Sequence, residues 1–163
     1  MNEEFMKEAI GEAKKAFKKN EVPIGAVIVK DGRVLAKAYN TRNKSQVAIN
    51  HAEIIAIKKA CKKLKSWRLD GCDIYVSLEP CPMCAGAILN ARINNLYFGA
   101  YNKTTKTNII NQIMNDDILN HKTNVLGGIL EKECSQILTD FFNGKRTKQS
   151  PITDNWWLIT DDW

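Results

Sequence analysis

The segment from residue 72 to residue 98 constrains the fold more than any other part of the chain. The pattern of residues 72–78 (CDIYVSL) predicts a strand. Pro82 suits the first turn of a helix that continues to about Arg92, and a second strand is predicted at 93–98. A strand, a helix and a strand in so few residues predict a βαβ unit, whose two strands are parallel.

The rest of the chain alternates between helical and strand patterns. Helices are predicted at 2–20, 51–64, 109–119 and 131–143, and strands at 22–30, 33–39 and 124–126. Asp31-Gly32 is a hairpin signal between the first two strands, whereas residues 40–50 are polar and irregular. No repeat or linker interrupts this pattern. We therefore predict an α/β protein with one domain at 1–150 and an aromatic, acidic tail at 151–163.

The charge of the chain is uneven. It holds 24 Lys and Arg against 18 Asp and Glu, a net charge of +6, and residues 1–150 contain every basic residue but only 15 of the acids, a balance of +9. A basic body favours a polyanion such as RNA as partner. The alternative is that the lysines only solvate helix faces.

The expected compartment is the cytoplasm. The polar start of the chain has no secretory signal, and no apolar run reaches the ~18 residues of a membrane span, so we expect no membrane association. Five cysteines are an odd number, which favours reduced thiols or metal ligands over a disulfide framework.

Two short motifs supply the candidate chemistry, and each opens a predicted helix: His51-Ala52-Glu53, and Cys81-Pro-Met-Cys84. Two thiolates three residues apart at a helix start can share one ion, and the helix dipole favours their charged form. One imidazole completes the three-ligand set typical of catalytic zinc, which leaves a fourth position to water. Glu53 is either a further ligand or a proton carrier beside that water.

Each motif alone has a simpler interpretation. Cys-x-x-Cys is also a redox pair, although that leaves His51 unexplained. Asn50 and Glu53 fit a capping box. A structural zinc requires a fourth ligand, for which the chain offers Cys61, Cys72, Cys134 and His121. Taken together, His-x-Glu followed by Pro-Cys-x-x-Cys is the known signature of the zinc nucleobase deaminases.

Three longer segments carry a family resemblance: EVPIGAVIVKDG, HAE and SWRLDGCDIYVSLEPCPMCAGAI. From about Phe5 to Phe142 the chain resembles the bacterial tRNA-specific adenosine deaminases, which share the cytidine-deaminase-like fold. The resemblance implies a three-layer α/β/α domain around a mixed five-stranded sheet. It also implies hydrolytic deamination of the wobble adenosine of a tRNA anticodon to inosine, with release of ammonia, by a homodimer.

The same resemblance assigns the site. It implies one Zn²⁺ per subunit, held by His51, Cys81 and Cys84, with Glu53 as proton shuttle. Asn40 matches the family asparagine that contacts the target nucleotide, and Ala52 is placed with it in the substrate site. Further RNA contacts are expected from basic residues around the site, namely Lys106, His121, Lys122, Lys145 and Arg146.

The sequence departs from the family pattern outside the zinc motifs. Ile49-Asn50 stands where the family usually has Thr-Ala, and Tyr39 stands where a histidine is common. Lys122 stands where an arginine is common, and residues 102–110 lack the glycine of the family's loop. The acidic tail favours a second hypothesis, in which 151–163 forms a lid over a free base such as guanine or cytosine. Alternatively, Trp156, Trp157 and Trp163 pack on the body. A third hypothesis is a non-catalytic, zinc-stabilised RNA-binding module with four protein ligands.

Overall fold

The computed structural model describes residues 2–102, 109–115 and 120–146. Within these ranges the elements follow one another as α1 (Glu3–Lys18), β1 (Gly25–Lys30), β2 (Arg33–Tyr39), α2 (Arg42–Ser45), α3 (Ala52–Leu64), β3 (Cys72–Leu78), α4 (Pro82–Asn90), β4 (Asn95–Ala100), α5 (Ile109–Asn115), β5 (Asn124–Leu126) and α6 (Glu131–Arg146).

The five strands form one mixed sheet in the order β2-β1-β3-β4-β5. β1 is antiparallel to both β2 and β3, while β3, β4 and β5 are parallel. The predicted βαβ unit is therefore confirmed. Asp31 and Gly32 both have positive φ, 49° and 70°, as the predicted two-residue hairpin turn requires.

Helices cover both faces of the sheet and produce two apolar layers. On one face, α3, α4 and α5 pack against side chains such as Ile28, Ile74 and Leu96. On the other face, α1 and α6 pack against Val27, Val29 and their neighbours. Because side chains alternate along each strand, adjacent residues enter different layers. The fold is the predicted three-layer α/β/α arrangement.

The structure differs from the predicted elements at their ends and by one additional short helix. β1 begins at Gly25 rather than 22, because residues 22–24 form a tight turn in which the Ile24 N–H donates to the Val22 carbonyl oxygen at 2.8 Å. β4 occupies Asn95–Ala100 rather than 93–98, and the segment predicted as irregular contains the short helix α2. No helix in the described ranges is long and apolar enough to cross a membrane.

We expect Gly25→Ala to destabilise the fold by about 1–3 kcal/mol, because the new methyl group overpacks the contact between α1 and β1. A Cβ at Gly25 would lie 2.0 Å from the carbonyl oxygen of Ala9, where neither backbone can easily move. Gly11→Ala is the control, since nothing lies within 4 Å of its Cβ. In α1 that change should stabilise by about 0.5–1 kcal/mol. Urea denaturation measures the free energy of unfolding of both variants. Equal stability of the two would contradict the prediction.

Candidate active site

The candidate site lies at one edge of the sheet, where three strands end together. Asn40 follows β2, the Glu79–Cys81 segment follows β3, and Asn102 follows β4 soon after its last residue. β1 runs antiparallel to β2 and β3, so its entry segment reaches the same edge. The carboxyl edge of parallel strands is the usual place for ligand sites in α/β folds.

The two motifs meet at this edge. His51 Nδ1 lies 3.7 Å from Cys81 Sγ and 3.5 Å from Cys84 Sγ, and the three donor atoms all lie within 4.8 Å of one another. A tetrahedral Zn²⁺ bound by imidazole and thiolate has N–S edges of about 3.6 Å, given bond lengths of about 2.1 and 2.3 Å. The donor atoms are therefore spaced as ligands of one ion.

Helix starts hold these donors in place. His51 is the N-cap of α3, and Cys81 is the N-cap of α4, with Pro82 as the first helical residue and Cys84 in the first turn. Neither N-cap side chain bonds to its own helix, so both remain directed at the cluster. The positive end of the α4 dipole favours a thiolate at the N-cap position, where Cys81 lies.

The electrostatics of the cluster treat the two sulfurs differently, favouring a thiolate at Cys81 and a thiol at Cys84. The hydrogen bond from the Cys84 thiol, supported by His51, lowers the pKa of Cys81 to about 4. The pKa of Cys84 is raised, first because its proton is held against Cys81 and then because it is buried. The hydrogen bond with Cys81 raises the pKa of His51. In the protein alone, the two sulfurs therefore share one proton that an incoming cation would displace.

Glu53 is a buried carboxyl group beside the donor cluster. Its residue is 3% exposed, and its Oε2 atom has no hydrogen-bond partner. Burial is the main cause that raises its pKa. An unpartnered buried oxygen is costly for stability and requires an explanation, and binding a ligand or taking part in catalysis is one that this position fits.

The structure contradicts two of the simpler interpretations. The capping box is wrong, because His51 rather than Asn50 is the N-cap and the Asn50 amide donates to Ser45 Oγ. The four-ligand structural zinc is also wrong for the described residues, where only His51, Cys81 and Cys84 form a possible metal cluster. Its proposed fourth ligands lie elsewhere. For example, Cys61 contacts the Trp67 carbonyl oxygen and His121 that of Ile93.

A cavity opens onto this cluster. It is lined by residues from all the segments at this edge: Val22, Ile24, Asn40, Arg42, His51, Glu53, Leu78, Glu79, Cys81 and Asn102. Asn40 is 5% exposed, and its Oδ1 atom, like Glu53 Oε2, is buried without a partner. Ala52, predicted to lie in the substrate site, has no exposed surface and is not among the lining residues. Its backbone N–H belongs to the first turn of α3, where amides have no partner within the helix.

Sequence reasoning missed three polar residues of this cavity. Arg42 lies two positions after Asn40, Glu79 directly precedes Pro80, and Asn102 follows β4. The backbone N–H of Asn102 donates to Glu79 Oε2 at 3.0 Å. The available signal was that all three residues lie close after a strand end. A single sequence does not show which residues of such loops point into a cavity.

The predicted RNA contacts are scattered. His121 Nε2 lies 2.9 Å from the carbonyl oxygen of Ile93, before β4 begins, so His121 and Lys122 lie at the opposite edge of the sheet from the cavity. The Lys145 ammonium group lies over the Phe141 ring at 4.7 Å. Lys106, the Arg146 side chain and the tail at 151–163 lie outside the described residues.

Comparisons with known proteins agree with this geometry. The family of MafB19-like deaminases matches residues 1–146. The tRNA-specific adenosine deaminase of Bacillus subtilis (strain 168) is 45% identical over 155 residues, which span 94% of this chain and 96% of that protein. The tRNA-specific adenosine deaminase of Aquifex aeolicus (strain VF5) is 41% identical over 88% of this chain and 95% of its own.

Two solved structures are also similar. One, from a study of A-to-I editing by tRNA:A34 deaminases at the wobble position, has a TM-score of 0.78 and 41% identity, covering 84% of this chain and all of that one. The other, a guanine deaminase from Bacillus subtilis, has a TM-score of 0.59 and 44% identity over 62% of this chain and 66% of its own.

Proposed function

Because the chain belongs to the family of tRNA-specific adenosine deaminases, we infer that it converts the wobble adenosine of a tRNA anticodon to inosine and releases ammonia. The protein is thus a hydrolytic deaminase. The observation that supports this most directly is the unpartnered Glu53 oxygen beside a three-donor cluster, in a cavity that is also lined by Asn40 with its unpartnered oxygen.

We propose His51, Cys81 and Cys84 as the ligands of one Zn²⁺ per subunit. One nitrogen and two sulfur donors suit zinc, and three protein ligands leave room for a substrate molecule. When bound, zinc supplies a Lewis acid that makes water nucleophilic near pH 7. The third hypothesis, a non-catalytic zinc module, is disfavoured, since it requires a fourth protein ligand.

We propose that Glu53 moves the protons of the reaction. The attacking water adds its oxygen to C6 of adenine and gives a proton to Glu53 Oε2. Glu53 passes that proton to N1. It then takes the remaining proton from the new hydroxyl group on C6 and gives it to the amino group, which leaves as ammonia when the C6–N bond breaks and the C6 carbonyl forms, so that one water is consumed. The buried position of Glu53 keeps this carboxylate away from bulk water, where protons would exchange freely.

We propose that Asn40 and the Ala52 amide orient the base. The Asn40 side chain offers both a donor and an acceptor, and its buried oxygen lacks any other partner. The Ala52 N–H, at the amino end of α3, can donate to an acceptor on the purine ring. The base must leave its stack to reach them, which costs at most a few kcal/mol in an anticodon loop.

The remaining partner assignments are also proposals. The basic body would hold the anticodon loop by its phosphates. We propose a homodimer in the cytoplasm, on the family resemblance. Ile88 and Leu89 of α4 are buried in the core of one chain, so they do not supply a dimer interface.

We expect the purified protein to form inosine in an anticodon stem-loop that carries a wobble adenosine and to leave free guanine, cytosine and adenosine unchanged. A stem-loop engages the basic surface as well as the cavity, and free bases engage only the cavity. Mass spectrometry of nucleosides and an ammonia assay measure the two outcomes. Turnover of a free base alone would overturn the tRNA assignment.

A second candidate is deamination of a free base such as guanine. It is favoured by the similarity to a guanine deaminase structure and by the acidic tail, which repels phosphate. The same assay on a chain that ends at residue 150 separates the two functions. If the tail is a lid, its removal lowers turnover of the free base, while inosine formation in the stem-loop persists without it.

A further inference from the structure

Glu21 is a buried carboxylate that the proposed chemistry does not use. It follows α1 and is only 1% exposed. Its Oε1 accepts the backbone N–H of Lys44 at 2.5 Å, and its Oε2 accepts that of Asn43 at 3.2 Å. Within the described residues no ion pair to Glu21 is present. These charge-assisted bonds to amides therefore balance most of its buried charge.

The amides that Glu21 binds belong to the loop between β2 and α3. The backbone N–H of Thr41 donates to the carbonyl oxygen of Asn50 at 3.1 Å and closes the base of this loop. Asn40 and His51, the residues on either side of that closure, both line the cavity. Glu21 thus fastens the loop to the body directly beside two residues of the site.

Arg42 is the loop residue that Glu21 is best placed to control. It lines the cavity and is half-buried, and the Glu21 contacts begin at the next residue, Asn43. Residues 40–50 contain Arg42 and Lys44 and no acid. A guanidinium group at the rim of a cavity for a nucleotide base is suited to the phosphate of that nucleotide.

We propose that Glu21 is a positioning residue: it anchors the 41–50 loop so that Arg42 meets a phosphate beside the target adenosine. This inference rests on the proposed RNA substrate. It is a role in binding rather than in proton transfer, because Glu21 bonds to loop amides and lies outside the cavity lining.

The sign of the charge makes the role testable. Removal of any acid increases the net positive charge and, through the long-range field alone, strengthens the binding of RNA. The positioning role predicts the opposite for Glu21. Glu8 provides the matched control, because it is an exposed acid whose Oε2 lies 2.6 Å from Lys37 Nζ, outside the cavity lining.

The experiment measures kcat and KM for the anticodon stem-loop at several salt concentrations. We expect Glu21→Ala to raise KM about tenfold or more with little change in kcat, and to make the salt dependence of KM shallower by about one phosphate contact. Arg42→Ala should do the same, and the double variant should resemble Arg42→Ala alone. Glu8→Ala should leave KM equal or lower.

Three results would each overturn the role. The first is a KM for folded Glu21→Ala that is no higher than the KM of Glu8→Ala, and the second is a salt dependence of KM that does not change. The third is a double variant in which the effects of Glu21→Ala and Arg42→Ala on KM add. If Glu21→Ala does not fold, Glu21→Gln, which keeps one acceptor oxygen, replaces it with the same criteria. If the parent protein forms no inosine, the proposed function fails instead, and stem-loop affinity across the same variants then decides the role of Glu21.

Discussion

Glu53→Gln is expected to lower kcat for inosine formation by about 10²–10⁴-fold while the protein keeps its metal, because glutamine fills the same space but cannot accept a proton. The side chain is buried, with one oxygen unpartnered, so the substitution removes a charge that burial disfavours. The thermal midpoint should therefore not fall. Single-turnover assays and elemental analysis on one preparation measure both properties.

A matched control separates this effect from the loss of any buried acid. Glu12 is 6% exposed and lies in α1, where Oε1 accepts from Lys15 Nζ at 2.5 Å. We expect Glu12→Gln to keep full turnover. Turnover within about tenfold of the parent in Glu53→Gln would exclude the proton-shuttle role, since general acid–base catalysis typically contributes about 10²–10⁴-fold.

Cys84→Ala is expected to remove both the metal and the activity. Two ligands remain, and a site with one imidazole and one thiolate falls short of the three protein ligands that catalytic zinc requires. Cys84 has no exposed surface, so its loss also leaves a small void beside α4. We expect the purified variant to contain almost no zinc and to form no detectable inosine.

Cys61→Ser is the control for this loss, because Cys61 contacts the Trp67 carbonyl oxygen and lies outside the cluster. It should retain metal and turnover. A Cys84→Ala protein that still binds one zinc per chain and deaminates the stem-loop would contradict the assigned ligand set.

The protonation of the cysteines adds a pH dependence to metal binding. The pKa of Cys81 is lowered to about 4, whereas that of Cys84 is raised, so near neutral pH the protein holds one proton on the pair. We expect zinc binding to release that proton. The affinity of the protein for zinc should therefore fall as the pH decreases, because protons compete with zinc for the sulfur ligands. Calorimetry in buffers of different ionisation enthalpy measures the proton release.

Much of the fold was predictable because local patterns and global topology agree. The βαβ unit at 72–98 required two parallel strands, and Asp31-Gly32 required a tight hairpin. Both requirements hold whatever the order of the strands in the sheet. The ends of elements were less predictable. β4 begins at Asn95 because its pairing with β3 starts where Asn95 lies opposite Asp73. The pattern of apolar residues in the sequence does not show where this pairing starts.

The donor types and their spacing were also visible in the sequence. His51, Cys81 and Cys84 are chemically specific, and their positions at helix starts follow from local capping and from Pro82. By contrast, the sequence expectation for His121 and Lys122 placed them near the substrate, and within one chain the structure puts them at the far edge of the sheet.

The sequence by itself determined most of the elements, the hairpin and the set of candidate metal donors, because turn chemistry, side-chain periodicity and ligand identity act over a few neighbouring residues. Only the tertiary structure decided which side chains surround the donors. Arg42 and Glu79 enter the cavity, and Glu21 reaches the amides of Asn43 and Lys44, more than twenty residues away. Such contacts depend on how strands align at one edge of the sheet, and that alignment is fixed by packing across the whole domain rather than by the residues adjacent in the chain.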